Sequence, residues 1–145
     1  MTTQSDTDTG EPDDRRTVIV DGSNVAFATE GEVGILDNIR LVTQKLEDEG
    51  LEPIVLVDAA LRHKIDDPDH FEQMVDDGRI RQAPAGTDAD FFILSFAKEL
   101  DADIVSNDRF RDSSENFREE RERTIRFMIV NGEVVFERRQ KRRRH

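Results

Sequence analysis

A chain of 145 residues is long enough to bury a core of its own and fits a single domain. It has no cysteine, which excludes a disulfide framework and a thiolate zinc site, and His63, His70 and His145 are too scattered to form a ligand pattern. A net charge of −12 with 37% charged residues repels nucleic-acid backbones unless basic groups are concentrated locally.

Among the 21 basic residues only Lys45, Lys64, Lys98 and Lys141 are lysine. An acidic, lysine-poor surface suits molar salt, where the Debye length shrinks to ~3 Å and self-repulsion is screened. The expectation is a halophilic source; a mesophilic protein kept soluble by its charge is the alternative. The opening "MTTQSDTDTGEPDDRR" has no apolar export segment. No stretch approaches the ~18 apolar residues that cross a bilayer. Both point to a cytoplasmic protein with no membrane partner.

Residues 1–15 are polar and aperiodic and read as a disordered acidic tail. "TVIVD" (17–21) is a short buried strand. "GILDNIRLVTQKLEDEG" (34–50) puts Ile35, Ile39, Val42 and Leu46 on one helical face and stops at Gly50. "PIVLVD" (53–58) is a second strand. "DDPDHFEQMVDDG" (66–78) predicts a helix whose acids Asp66, Asp67 and Asp69 crowd its start. Asp67 is its N-cap, Pro68 its first residue and Gly78 its stop. "RIRQAP" (79–84) is a weaker strand. "TDADFFILSFAKEL" (87–100) is a helix capped by Thr87, with Asp90 three residues on and Phe92, Ile93, Phe96, Ala97 and Leu100 inward. "DIVS" (103–106) is a fourth strand, and a charged helix follows from Ser114 to Arg121. "TIRFMIV-NG-EVVFE" (124–137) reads as two β runs joined by Asn-Gly, a hairpin. Residues 138–145 form a basic tail, leaving 16–137 as the folded domain.

Strands alternating with helices predict an α/β fold: a Rossmann-like, mostly parallel central sheet with helices on both faces, closed by the C-terminal hairpin. Ligands of such sheets bind beyond the carboxyl ends of the strands. "VIVD" ends in Asp21, "VLVD" in Asp58, the third strand leads into Asp88 and Asp90, and "DIVSND" ends in Asp108. A lone Asp at a strand end turns the chain or caps a helix. Four strands delivering acid to one edge suggest a site. Carboxylates without His or Cys suit Mg²⁺ or Mn²⁺, and an uncompensated cluster repels itself. Two such ions can drive phosphodiester hydrolysis. No phosphate-binding glycine loop or nucleophile elbow is present.

"VIVDGSNVA" (18–26) and "DADFFILSFAKELDADIVSNDRFRD" (88–112) together resemble the PIN-like ribonucleases, in particular the NYN branch with the Regnase-type endoribonucleases. The resemblance covers residues 17–137. It implies a PIN-like sheet and Mg²⁺- or Mn²⁺-dependent cleavage of single-stranded RNA, with catalytic metal ligands at Asp21, Asp90 and Asp108. It also implies a polar residue at Asn24 beside the first acid and a supporting acid at Asp112. Where the Regnase pattern has adjacent acids, Ala89 precedes Asp90, so Asp88 is the candidate to supply the missing carboxylate. Asp58 has no counterpart in that pattern and is a metal candidate on the strand-end argument alone.

For substrate, Arg62, with His63 and Lys64, lies near the acidic edge, and Arg109 and Arg111 flank Asp108. They are placed either to hold RNA phosphates or to pair with carboxylates. Phe27, Phe91 and Phe110 are candidates for base stacking or for the core. The partner expected is single-stranded RNA, with a homodimer, or a ribosomal or protein surface met by the basic tail, left open. The competing readings are an RNA-binding module with a degenerate metal site and the toxin half of a toxin–antitoxin pair.

Overall fold

The computed structural model describes residues 16–113 and 115–137. The acidic tail (1–15), the basic tail (138–145) and the Ser114 start of the charged helix lie outside the described residues. In chain order the elements are β1 (Thr17–Asp21), α1 (Gly22–Ala26), α2 (Leu36–Asp48), β2 (Glu52–Val57), α3 (Pro68–Asp76), β3 (Ile80–Gln82) and α4 (Ala89–Leu100). Then come β4 (Asp103–Val105), α5 (Arg118–Glu122), β5 (Thr124–Ile125), β6 (Phe127–Val130) and β7 (Glu133–Phe136). None of the described helices is long and apolar enough to cross a membrane.

The five-stranded sheet runs β3-β2-β1-β4-β5, all parallel, and β6-β7 form a separate antiparallel pair. Strand alternation sends β1 into both layers. Val18 and Val20 pack with Ile39, Val42, Leu46 and Phe71 of α2 and α3, and with Phe127, Val134 and Phe136 of the hairpin. Ile19 packs on the other face with Ile93, Leu94 and Ala97 of α4. Burial on both faces is why these strands read as unbroken apolar runs. The chain steps outward from β1 to β2 and β3, then returns to place β4 on the opposite side of β1. The carboxyl ends of β1 and β4 therefore flank the point where strand order reverses, which opens a crevice.

Gly22 begins α1 against β2. A Cβ there would lie 2.6 Å from Val57 Cγ1, 2.8 Å from Val55 Cγ1 and 3.1 Å from the Leu56 carbonyl. Gly22→Ala should cost about 2 kcal/mol by overpacking, read as an earlier denaturant midpoint with an unchanged slope. Wild-type stability in that variant would show that β2 yields easily.

Several local expectations are corrected. The α4 cap is Asp88, whose side chain accepts the Asp90 N–H at 3.0 Å, so Thr87 is not the cap and Asp90 is the second helical residue. Leu94 is buried where Leu100 was expected, because Leu100 ends the helix beside left-handed Asp101. The run 124–130 is not one strand. Thr124 and Ile125 extend the main sheet beside β4, and the chain leaves it at Arg126 to start the hairpin. Asn131 and Gly132 make that turn with φ of 53° and 79°, the positive values an Asn-Gly hairpin uses. Asp67 does cap α3, but Asp66 accepts the Leu36 N–H at 2.9 Å and so serves α2, whose own N-cap, Ile35, has no side-chain acceptor.

Candidate active site

β1 ends in Asp21, a carboxylate only 5% exposed. Its Oδ1 accepts the Asn24 N–H at 3.3 Å as the cap of α1, and its Oδ2 accepts the Ser106 hydroxyl at 2.7 Å. Ser106 is the residue after β4, and its Oγ also accepts the Asp108 N–H at 3.0 Å. One buried hydroxyl thus joins the two acid-bearing turns. Asn24 adds a second tie, because its Oδ1 accepts the Asn107 N–H at 2.9 Å. Asn107 in turn clasps the Phe127 peptide, accepting its N–H and donating to its carbonyl, both at 3.0 Å.

Asp108 closes its own turn by accepting the Phe110 N–H at 2.8 Å. Phe110 sits at φ 54° with its ring wholly buried, so it is a core anchor and not a stacking surface. Asp88 and Asp90 open α4 across the crevice from this turn.

The hydrogen bonds hold these acids near one another against their own charge. Burial pushes the Asp21 carboxyl up to about 7, outweighing the lowering hydrogen bonds from Ser106 and Asn24, and the charges of Asp90 and Asp108 add smaller upward pushes. Asp90 rises to about 6, first through burial and then through Asp108, Asp88 and Asp112. Desolvation and like charge both disfavour ionisation.

Among the described residues, no three His, Cys, Asp or Glu side chains are drawn together as a metal-binding group. The acids act on one another across an open crevice. Their donor chemistry, all carboxylate and strained by its own charge, fits a hard divalent cation.

Asp58 stands apart from that set. It caps the 3-10 helix Ala59–His63 by accepting the Ala60 N–H at 2.6 Å, and its own N–H donates to Ser23 Oγ at 3.0 Å. It is not among the charges acting on Asp21 or Asp90. With Arg62, His63, Gln82 and Ala89 it lines a cleft of about 740 Å³. Arg62 is paired with Glu72 at 3.0 Å, whereas Arg109 and Arg111 are exposed beside Asp108. Ser106 and Asn107, the residues that link the two strand ends, were not singled out from sequence. Their only signal is small polar residues directly behind an apolar run.

The model of the Zc3h12a-like ribonuclease NYN domain matches residues 14–145. No curated protein matches the chain. Two structures of the Arabidopsis thaliana nuclear protein-only RNase P 2 are similar in fold. One has a TM-score of 0.67 and 24% identity over 84% of this chain, the other 0.69 and 23% over 85%. The chain spans 29% and 30% of those two chains.

Proposed function

The chain belongs to the Zc3h12a-like ribonuclease NYN domain family, and we propose that it is a Mg²⁺- or Mn²⁺-dependent endoribonuclease cutting single-stranded RNA at the crevice between β1, β4 and α4. The observation that carries this reading is the buried Asp21 carboxylate joined through Ser106 to the Asp108 turn, in a set where burial and neighbouring acids raise Asp21 to about 7 and Asp90 to about 6. Structural carboxylates are normally placed where ionisation is easy; these are held where only a cation or a proton relieves them. Membership in a ribonuclease family supports RNA as the phosphodiester hydrolysed.

Asp21, Asp90 and Asp108 would hold the ion, with Asp88 and Asp112 adding negative charge at the rim. When bound, such an ion activates water and neutralises charge building on the phosphate. The chain's own contribution is placement. Ser106 and Asn24 fix the Asp21 carboxylate in one orientation, and Asn107 ties the Asp108 turn to Asn24 of α1. Arg109 and Arg111 stand where they can offset the acidity for an approaching backbone, while Arg62, committed to Glu72, is less available. Asp58 shapes the neighbouring cleft.

Labelled single-stranded RNA should be cut in Mn²⁺ or Mg²⁺ and left intact in chelator, with the matching DNA a poorer substrate. Binding without cleavage in any divalent ion would favour the RNA-binding module instead. A series from about 0.1 M to about 1 M salt, over which the Debye length falls from ~10 to ~3 Å, also tests the halophilic expectation.

The Ser106 hydroxyl lowers the Asp21 pKa. Ser106→Ala should therefore raise it further, moving the acidic limb of the rate–pH profile to higher pH. At neutral pH the rate should fall about tenfold, as for loss of a hydrogen bond to a charged group. A uniform fall with an unmoved limb would mean that Ser106 only supports the fold.

A further inference from the structure

Three phenylalanines lie near the acids, and the structure sorts them by accessibility. Phe110 is 1% exposed, Phe27 is half-buried against the core, and Phe91 is 55% exposed. Phe91 follows Asp90 in the first turn of α4. Successive helical residues are ~100° apart, so Ala89 and Phe91 flank Asp90 on opposite sides. Ala89 borders the cleft; Phe91 carries an open aromatic surface on the other flank.

The ring is also held. It meets Phe117, a mostly buried residue, with centroids 5.6 Å apart and planes at 77°. An edge-to-face contact covers at most one face of each ring, so Phe91 keeps a face free while its orientation is fixed. Fixing the ring beforehand lowers the entropy lost when a flat ligand lands on it.

We propose that Phe91 is a stacking platform for an unpaired nucleobase of the RNA strand, beside the phosphate that a cation held at Asp90 would engage; this rests on the ribonuclease reading above. An isolated exposed phenylalanine alone needs no explanation. Here it directly follows Asp90, a carboxylate on which Asp88, Asp108 and Asp112 act, and this acidity disfavours an acidic partner, while Arg109 and Arg111, exposed beside Asp108, can meet a phosphate backbone. An uncharged base attached to that backbone satisfies both neighbours. Stacking on one free face accepts any base and requires that the base be unpaired, which ties the feature to single strands.

The test compares two labelled ligands of equal length, oligouridine and an abasic ribose-phosphate oligomer, binding the full chain in Mg²⁺ with Asp21→Asn present to prevent cutting. Adding Phe91→Ala should weaken oligouridine about tenfold and leave the abasic oligomer unchanged, while Phe91→Tyr should retain both affinities. No loss on oligouridine overturns the proposal. So does an equal loss on both ligands, especially with a lowered melting temperature, which would make Phe91 a structural prop. If Phe91→Ala is silent while the wild type still cuts RNA, only the platform fails. If the wild type neither binds nor cuts RNA, both readings fail.

Discussion

Asp21→Asn should lower the rate of RNA cleavage by roughly a thousandfold or more and make the metal-free protein more stable at pH 8. The first half follows from removing the most buried carboxylate of the set. The second follows from its elevation. Holding Asp21 ionised where its pKa is raised from 3.8 to about 7 costs about 4 kcal/mol, and Asn carries no charge to hold. Asn keeps an acceptor for the Asn24 N–H, but its amide would donate to Ser106 Oγ, leaving that hydroxyl to find another acceptor at a cost of ~1 kcal/mol. A net gain of about 3 kcal/mol remains. Loss of activity with loss of stability would instead make Asp21 an ordinary helix cap. Asp108→Asn is the companion measurement. Its Oδ1 can still accept the Phe110 N–H, so the turn persists while one charge leaves the crevice. Activity should again fall by orders of magnitude, and metal-free stability should hold or rise slightly. A variant that cuts RNA at the wild-type rate would remove Asp108 from the machinery.

Stability should depend on pH and on divalent ions in opposite directions. Both raised carboxyls bind protons more tightly in the folded chain than in the unfolded one. Their stabilising contribution is therefore complete below about 3.8 and is lost as pH rises through about 6 for Asp90 and about 7 for Asp21. In chelator, the melting temperature should decline between pH 5 and pH 8, and in Asp21→Asn the decline should be smaller and level off above about 6, the part that Asp90 contributes. Mn²⁺ should restore it most at pH 8, where no proton competes for the ligands, and least at pH 5. Ion-induced stabilisation that is the same at both pH values, or that survives in Asp21→Asn, would place the ion elsewhere.

Strand ends and helix faces were legible because they depend on short-range rules. An apolar run closed by Asp must leave the sheet there, and "DP" followed by spaced apolar residues leaves little choice but a capped helix. Ser106 was not legible, since a serine after a strand is ordinary, and its importance comes from β1 lying alongside β4, which pairs residues 85 positions apart in sequence. Asp58 misled for the same reason. Its strand ends like β1, yet β2 lies on the side of β1 away from β4, and its carboxylate is spent on Ala60. Asp66 looked like part of the α3 start because it adjoins Asp67, whereas its partner is Leu36. The split after Ile125 was hidden because Phe127 is as good a strand residue as Ile125; what divides them is the side chain of Asn107, which takes up both hydrogen-bonding groups of Phe127.

That clasp has a temporal consequence. A chain made from its N-terminus acquires Asp21, Asp90 and Asp108 well before Phe127. Until Phe127 has emerged, Asn107 has no peptide to grip, and until Val134 and Phe136 follow, the layer over Val18 and Val20 is uncovered. The order in which the parts are synthesised thus leaves the support of the crevice to the end: its acids are made first, and the peptide and side chains that seat them come last among the described residues.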